Sequence, residues 1–478
     1  MDTTLAVITK QPSKLDAIKD PRVLELENLS FTSFHVIALA IFILAIIHTL
    51  SVRKIHSWAR SLETYQAPKR LRQKTGRSPF VQLLYFLAEV EIVFAFWAIP
   101  LFIAMVYAYN WTVALDYINT RDYTEALFVA IILSLTATRP ILTLAENTIK
   151  CLATRLGDSL SAWWLTLLTI GPLLGSLITE VGAMTLCALL LSKEFYTFRP
   201  TDNLAYATLG LLFVNISVGG ALTNFASPAV LILSHAWKWS TLQLFMSFGW
   251  KILLGIGISN FLYWFLFRKE FQFLDKRRKV ILATQFLHSK EKEEAPIPKW
   301  VTFTHALFIV WIVLVSEYPA IFLGSFLIFV GFHQATRSHQ YPIRIIRPML
   351  VGLFLAGLVI HGGLQGWWIL NLLEGLSPLA VMGITILLAG FNDNAAIAYL
   401  VTLIPTWSAL CKYAVFTGII AGGGLTVIAN APNPAGYTIL KHHFSEGIHP
   451  LKLLGAAAIP TIILYAIFYF CGPLEFFL

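Results

Sequence analysis

Two passages hold the residues best suited to chemistry. Gly219-Gly220-Ala221-Leu222-Thr223-Asn224-Phe225-Ala226-Ser227-Pro228 recurs as Gly422-Gly423-Gly424-Leu425-Thr426-Val427-Ile428-Ala429-Asn430-Ala431-Pro432. Each interrupts an apolar stretch, and each follows a carboxylate set among apolar residues, Glu180 or Asp393. A carboxylate facing lipid is expensive, so both must meet water, a cation or a hydrogen-bond donor. A broken helix leaves carbonyls at one cut end, which attract cations, and amide hydrogens at the other, which attract anions. Thr223, Asn224, Thr426 and Asn430 add hard oxygen ligands to those carbonyls, with Asn215 as a further candidate. Oxygen ligands beside an acid suit Na⁺ or Li⁺, and the same acid accepts a proton when the ion leaves. One site contested by Na⁺ and H⁺, exposed to each side in turn, is sufficient for antiport.

The glycines 219, 220, 422, 423 and 424 permit close backbone approach, while Pro228, Pro432 and Pro434 stop a helix from closing over the break. Glu89 and Glu91 also fall inside a predicted span; two residues apart, they cannot share a helix face, and they mark a candidate proton route. His442-His443 has no third ligand at metal spacing, so no transition-metal site and no cofactor are expected.

The elements that must position these residues are membrane helices. Of 478 residues, 57% are hydrophobic and 13% charged, with mean hydropathy +0.70; soluble domains carry about 25% charge. The net charge of +9 is spread between apolar segments, where it orients a chain in a bilayer rather than binding nucleic acid. Residues 1–30 form a polar tail without a signal-peptide pattern. Cys151, Cys187, Cys411 and Cys471 have no disulfide or metal spacing.

A helix crosses hydrocarbon in about 20 residues. Spans are predicted near 31–52, 80–108, 123–140, 241–267, 301–315, 318–334, 346–361 and 450–472, with 204–237 and 408–440 crossing as broken helices. The stretches 161–191 and 376–404 are too long for one crossing and carry their acids near the middle. Arg53 to Arg77 holds eight Lys/Arg against Glu63 alone, and 268–299 and 334–348 are also basic, so all three are expected inside. That parity holds only if 161–191 is a re-entrant hairpin, and 376–404 is read as its counterpart. The predicted fold is therefore all-α: about ten transmembrane helices plus two oppositely oriented hairpins. It is organised as an inverted repeat over 31–267 and 300–478, joined by a cytoplasmic linker at 268–299. Segments 141–156 and 362–375 are predicted to lie along the interface.

Thr179-Glu180-Val181-Gly182-Ala183-Met184-Thr185, Gly219 to Pro228, Asp393-Asn394-Ala395 and Gly422 to Gly436 resemble the ion-transporter superfamily over roughly 80–470. The nearest branch is the bacterial sodium/proton antiporters, including a group found in chlamydiae. The resemblance implies hairpins and broken helices meeting at the substrate, a multi-pass protein of the bacterial inner membrane, and a homodimer. It also places Thr179, Asn392 and Asn394 at substrate-binding hairpin tips. Dicarboxylate transporters of the superfamily carry Ser-Asn-Thr there; acids in its place favour a cation. Val181 departs from the family's Thr-Glu-Pro form, and Ser227-Pro228-Ala229 varies its small-residue–Pro–Pro turn. The expected function is exchange of Na⁺ or Li⁺ for H⁺, with Glu180 and Asp393 coupling the charges. The alternatives are Na⁺-coupled transport of an anion (a carboxylate or arsenite) and a non-transporting membrane scaffold. No spacing unites Ser, His and acid into a nucleophilic set, so no enzyme is expected.

Overall fold

The computed structural model describes residues 33–73, 78–285, 296–373, 375–404, 407–445 and 447–472, and no strand occurs among them. The expected tail 1–30 and the 286–295 part of the linker lie outside the described residues. Helix α1 (Ser33–Gln73) runs past the predicted 31–52 span, because no proline or glycine stops it between Ser33 and Ala67. The predicted 80–108 span is two helices, α2 (Pro79–Leu87) and α3 (Val93–Ala108), split where Glu89 turns extended. A short helix that the hydrophobic pattern did not signal follows, α4 (Trp111–Thr120), capped by Asn110.

Next come α5 (Thr124–Thr136) and α6 (Arg139–Arg155), bent by 64° at the break before Pro140. The first hairpin is α7 (Leu160–Ile178) and α8 (Glu180–Glu194). Its arms are antiparallel: Gly171 packs on Cys187 and Gly175 on Ala183. The first broken helix is α9 (Asp202–Gly219) and α10 (Pro228–Trp237). Then follow α11 (Thr241–Leu266), with a π-turn at Phe245–Gly249, and α12 (Arg268–Gln285). Three helices come next, α13 (Lys299–Leu314), α14 (Pro319–Ala335) and α15 (Ile346–Gly362), then the short α16 (Gly366–Leu373). The second hairpin is α17 (Pro378–Phe391) and α18 (Asn394–Thr402). The second broken helix is α19 (Ala409–Gly422) and α20 (Asn433–Leu440), and α21 (Pro450–Cys471) closes the chain's described part.

Among the described residues seven helices are long and apolar enough to cross a bilayer, eight if the bent α5–α6 pair counts as one span. Both arms of the first hairpin are among the seven. Helices α13, α14, α15 and α19 are apolar but shorter than a standard span, so length alone yields fewer crossings than the predicted ten.

The chain divides into two compact units, each drawing on both halves of the sequence. The first comprises Met1–Ala126 and Leu350–Leu372. Its core gathers Phe34, Leu101, Met105, Val113, Tyr117 and Leu364. Tyr117 Oη donates to the Ile360 carbonyl at 2.7 Å. The second comprises Leu127–Met349 and Leu373–Leu478, and it holds both hairpins and both broken helices. At its centre is α9, where every residue from Leu204 to Gly219 is buried; a helix apolar all round belongs in a core.

Within the second unit the packing is reciprocal. Arm α7 lies on α9 and α17 on α19, whereas α8 lies on α20 and α18 on α10. Each hairpin thus grips the first part of its own broken helix and the second part of the other. The broken helices meet where Ser217 Oγ donates to the Ile420 carbonyl at 2.7 Å.

Candidate functional site

One residue, Thr179, turns α7 into α8. It does so at φ 66° and ψ 156°, a region almost restricted to glycine, at a cost of about 1–3 kcal/mol. Thr179 is buried, and its Oγ1 lies 3.4 Å from Thr136 Oγ1 at the end of α5. Strain of this kind persists only where surrounding structure enforces it, and here it aims the next residue.

That residue is Glu180, 1% exposed. Its backbone N–H donates to Ala226 O at 3.2 Å, docking the hairpin tip on the first break. Its side chain lies against the bare Cα of Gly220: a Cβ there would strike Glu180 Cγ and sit 2.7 Å from Oε1. Oε2 accepts from Asn430 Nδ2 at 2.9 Å, on the second break. Ser227 Oγ faces the same carboxylate without closing a regular hydrogen bond. One carboxylate therefore joins both interruptions.

The remaining oxygens are left open. Glu180 Oε1, Ser227 Oγ, Asn430 Oδ1 and Asn433 Oδ1 are buried and have no hydrogen-bond partner among the described residues. An unmet buried polar atom costs about 1–3 kcal/mol, more when charged. Glu180 Oε1, with Ser227 Oγ and Asn430 Oδ1 on the residues beside it, calls for a positive species, a metal cation or a proton.

The second tip repeats the first, displaced by one residue from the expected alignment. Four pairs of contacts fix the register. Gly219 packs on Pro172 as Gly422 packs on Ile386, and Gly220 on Glu180 as Gly423 on Asn394. Thr223 Oγ1 donates to Ser176 O at 2.7 Å as Thr426 Oγ1 donates to Gly390 O at 2.7 Å. Asn394 N donates to Ala429 O at 2.9 Å, matching Glu180 N to Ala226 O. Asn394 is thus the counterpart of Glu180, and Asp393 that of Thr179. Asp393 is 7% exposed and within electrostatic reach of Glu180. Its Oδ1 caps α18, accepting from Ala395 N at 2.8 Å. Asn392 Oδ1 accepts from Asp393 N at 2.9 Å. The two acids hold different posts.

The other candidates divide by position. Thr223 and Thr426 give their hydroxyl protons to hairpin carbonyls, bracing each tip. Asn224 Oδ1 accepts from Thr241 Oγ1 at 2.7 Å. Asn215 Nδ2 donates to Leu168 O and Asn260 Oδ1, both at 2.9 Å. Pro228 and Pro434 open α10 and α20, where a missing N–H is harmless, and Pro432 caps the latter. Glu89 is exposed and Glu91 half-buried beside the α2–α3 break, in the first unit.

Sequence reasoning passed over Ser176, Ser227 and Asn433. Ser176 Oγ donates to Gly219 O at 2.6 Å, and Asn433 Nδ2 to Gly423 O and Thr426 O, both at 2.8 Å. It also passed over Lys251, fully buried in α11, which donates to Tyr413 Oη at 3.0 Å and to Gly472 O. An ionisable residue within the apolar 241–267 run was the available signal.

A family model described as "Putative Na+/H+ antiporter" matches residues 33–471. The match is to that family as a whole and does not distinguish a chlamydial branch. No curated protein matches the chain. A solved structure, the Alcanivorax borkumensis YdaH transporter, described as having an unusual topology, is 12% identical. The alignment covers 73% of this chain and 84% of that one, with a TM-score of 0.39.

Two predictions follow from the tip geometry. Gly220→Ala forces a methyl group onto the carboxylate and lowers stability by about 1–3 kcal/mol. Gly257→Ala, where a Cβ meets open space, does not; equal melting temperatures for the two variants in detergent would contradict the close contact. Thr179→Gly relieves the backbone and melts within a few degrees of the parent, whereas Thr179→Val keeps the strain, loses the hydroxyl and melts lower.

Proposed function

Because the chain belongs to this Na⁺/H⁺ antiporter family over residues 33–471, we propose that it exchanges Na⁺ or Li⁺ for H⁺ across the bacterial inner membrane by alternating access. The family is one of membrane transporters, not enzymes. The observation that carries the ionic part is Glu180, a carboxylate removed from water with buried acceptor oxygens beside it and, among the described residues, Asn430 alone donating to it by a regular hydrogen bond. Na⁺ is held by those oxygens, and a proton on Glu180 neutralises the carboxylate in its place. Occupancy by one excludes the other, which couples the two fluxes.

Ten crossings with two opposed hairpins follow if the 16- and 17-residue helices α13, α14 and α15 and the two broken helices each cross. The reciprocal grip of hairpins on broken helices supports an inverted repeat, since exchanging the two copies maps each element's contact onto its partner's, with Ser217 and Ile420 at corresponding positions. Asp393 caps a helix, so its charge biases the site while Glu180 binds. The basic segments 53–77, 268–299 and 334–348 then face the cytoplasm.

Proton flux in proteoliposomes tests this reading. Addition of Na⁺ or Li⁺ dissipates an imposed pH gradient without any added anion, and K⁺ does not. Glu180→Gln reduces the signal to that of protein-free vesicles. Asp393→Asn folds normally, because asparagine caps a helix as well as aspartate does, and it transports with altered Na⁺ affinity. A strict requirement for an organic or inorganic anion would replace antiport with Na⁺-coupled anion transport. Unchanged flux in Glu180→Gln would remove that residue from the mechanism.

A further inference from the structure

Helix α12 (Arg268–Gln285) has two faces. Phe271, Leu274 and Arg278 are buried, at spacings of three and four residues that share one side of a helix. The Phe271 ring packs edge-on against Trp164 of α7, 5.1 Å between ring centres, and lies beside Phe195 just beyond α8. Both acids of the helix turn the same way. Glu270 Oε1 accepts from Thr201 N at 2.7 Å, at the start of α9. Asp275 Oδ1 accepts from Leu160 N at 3.0 Å, at the start of α7. Arg278 donates to Asp158 O in the loop before α7 and lies 4.0 Å from Glu194 at the end of α8.

A helix that meets the ends of α9, α7 and α8 in succession lies along one face of the unit rather than projecting from it. Only Phe267 separates α12 from α11. The last turns of α11 expose Phe261, Phe265 and Leu266, as a span facing lipid does. Arg268 Cζ stands 4.7 Å over the Phe265 ring, where a cation on an aromatic stem sits at the edge of hydrocarbon.

The outer face of α12 is cationic. Arg268, Lys269, Lys276 and Lys279 are exposed, and among them stand Phe273 at 65% exposure and Val280 at 68%. Glu270 and Asp275 are committed to the inner contacts; of the outer cations Lys279 reaches back to Asp275 Oδ2, at 3.5 Å. Basic residues interleaved with apolar ones, directly after a membrane helix, fit a surface that offers phosphates and hydrocarbon together. A nucleic acid or a free phosphate supplies the charge but leaves Phe273 and Val280 in water.

We propose that the outer face of α12 binds anionic phospholipid: Lys269, Lys276 and Lys279 take the headgroup phosphates while Phe273 and Val280 enter the acyl boundary. The same helix grips the feet of the hairpin that presents Glu180, through Asp275 at the first arm and Arg278 between the two. Bound lipid therefore steadies that hairpin, and anionic lipid acts as its regulator. Binding needs the bilayer setting of the antiporter family but not exchange of Na⁺ for H⁺, so it is read without any flux measurement.

The test uses full-length protein, stripped of lipid in a neutral maltoside detergent and titrated with phosphatidylglycerol in mixed micelles. Phosphatidylglycerol raises the melting temperature by several degrees in a saturable way and slows amide hydrogen exchange over 268–280 and over 158–164, which includes the Leu160 N–H held by Asp275. Phosphatidylcholine and soluble glycerol phosphate do neither. Lys269→Gln/Lys276→Gln/Lys279→Gln melts with the parent when lipid is absent, because these side chains are exposed. It needs about 100-fold more phosphatidylglycerol for the same rise, at about fivefold per lysine. Equal effects of phosphatidylcholine or glycerol phosphate, or no lipid-dependent protection over 268–280 in the parent, overturn the proposal without recourse to any variant. An unchanged lipid response in the triple variant overturns it equally.

Discussion

A carboxylate kept out of water between two interrupted helices sets the terms for everything around it. Glu180 is gripped from one side by the bare backbone of Gly220 and from the other by Asn430, so both breaks must stay in register for the charge to be met at all. The strained turn at Thr179 and the tip-to-break backbone bonds serve that register. A helix that ran unbroken through either point would bury its own amides and leave the acid without a partner.

The same constraint explains why α9 is buried along its whole length. Its first part carries the break to the unit's centre, its Gly219 and Gly220 accept the first hairpin, and its Ser217 touches the other broken helix at Ile420. Small residues dominate these contacts because backbones must approach to within side-chain distance. The local geometry is doubled but the chemistry is not. Glu180 faces Asn394 across the pseudo-symmetric plan, and Asp393 occupies the place of a threonine. A repeat with one acid per copy thereby yields one carboxylate lodged between the two breaks and one that caps a helix.

Much of this was legible in the chain. The repeated glycine blocks, the acids in apolar runs and the prolines beyond them signalled both breaks and both tips, since each residue type is costly elsewhere in a membrane. The one-residue offset between Glu180 and Asp393 was not legible, because hairpin register depends on which glycine meets which side chain. The division of α2 from α3 at Glu89 was hidden by hydropathy averaging, which smooths over a few polar residues, whereas the predicted end of the 123–140 span falls close to the bend before Pro140. Lys251 was missed for the same reason.

Proton release on ion binding addresses the shared site directly. Purified protein in weakly buffered detergent solution, mixed with Na⁺ at a pH where transport occurs, should release protons in proportion to Na⁺ bound, and Glu180→Gln should release none. Sodium uptake with no proton released, or identical release from the Glu180→Gln protein, would show that cation and proton do not compete at this carboxylate.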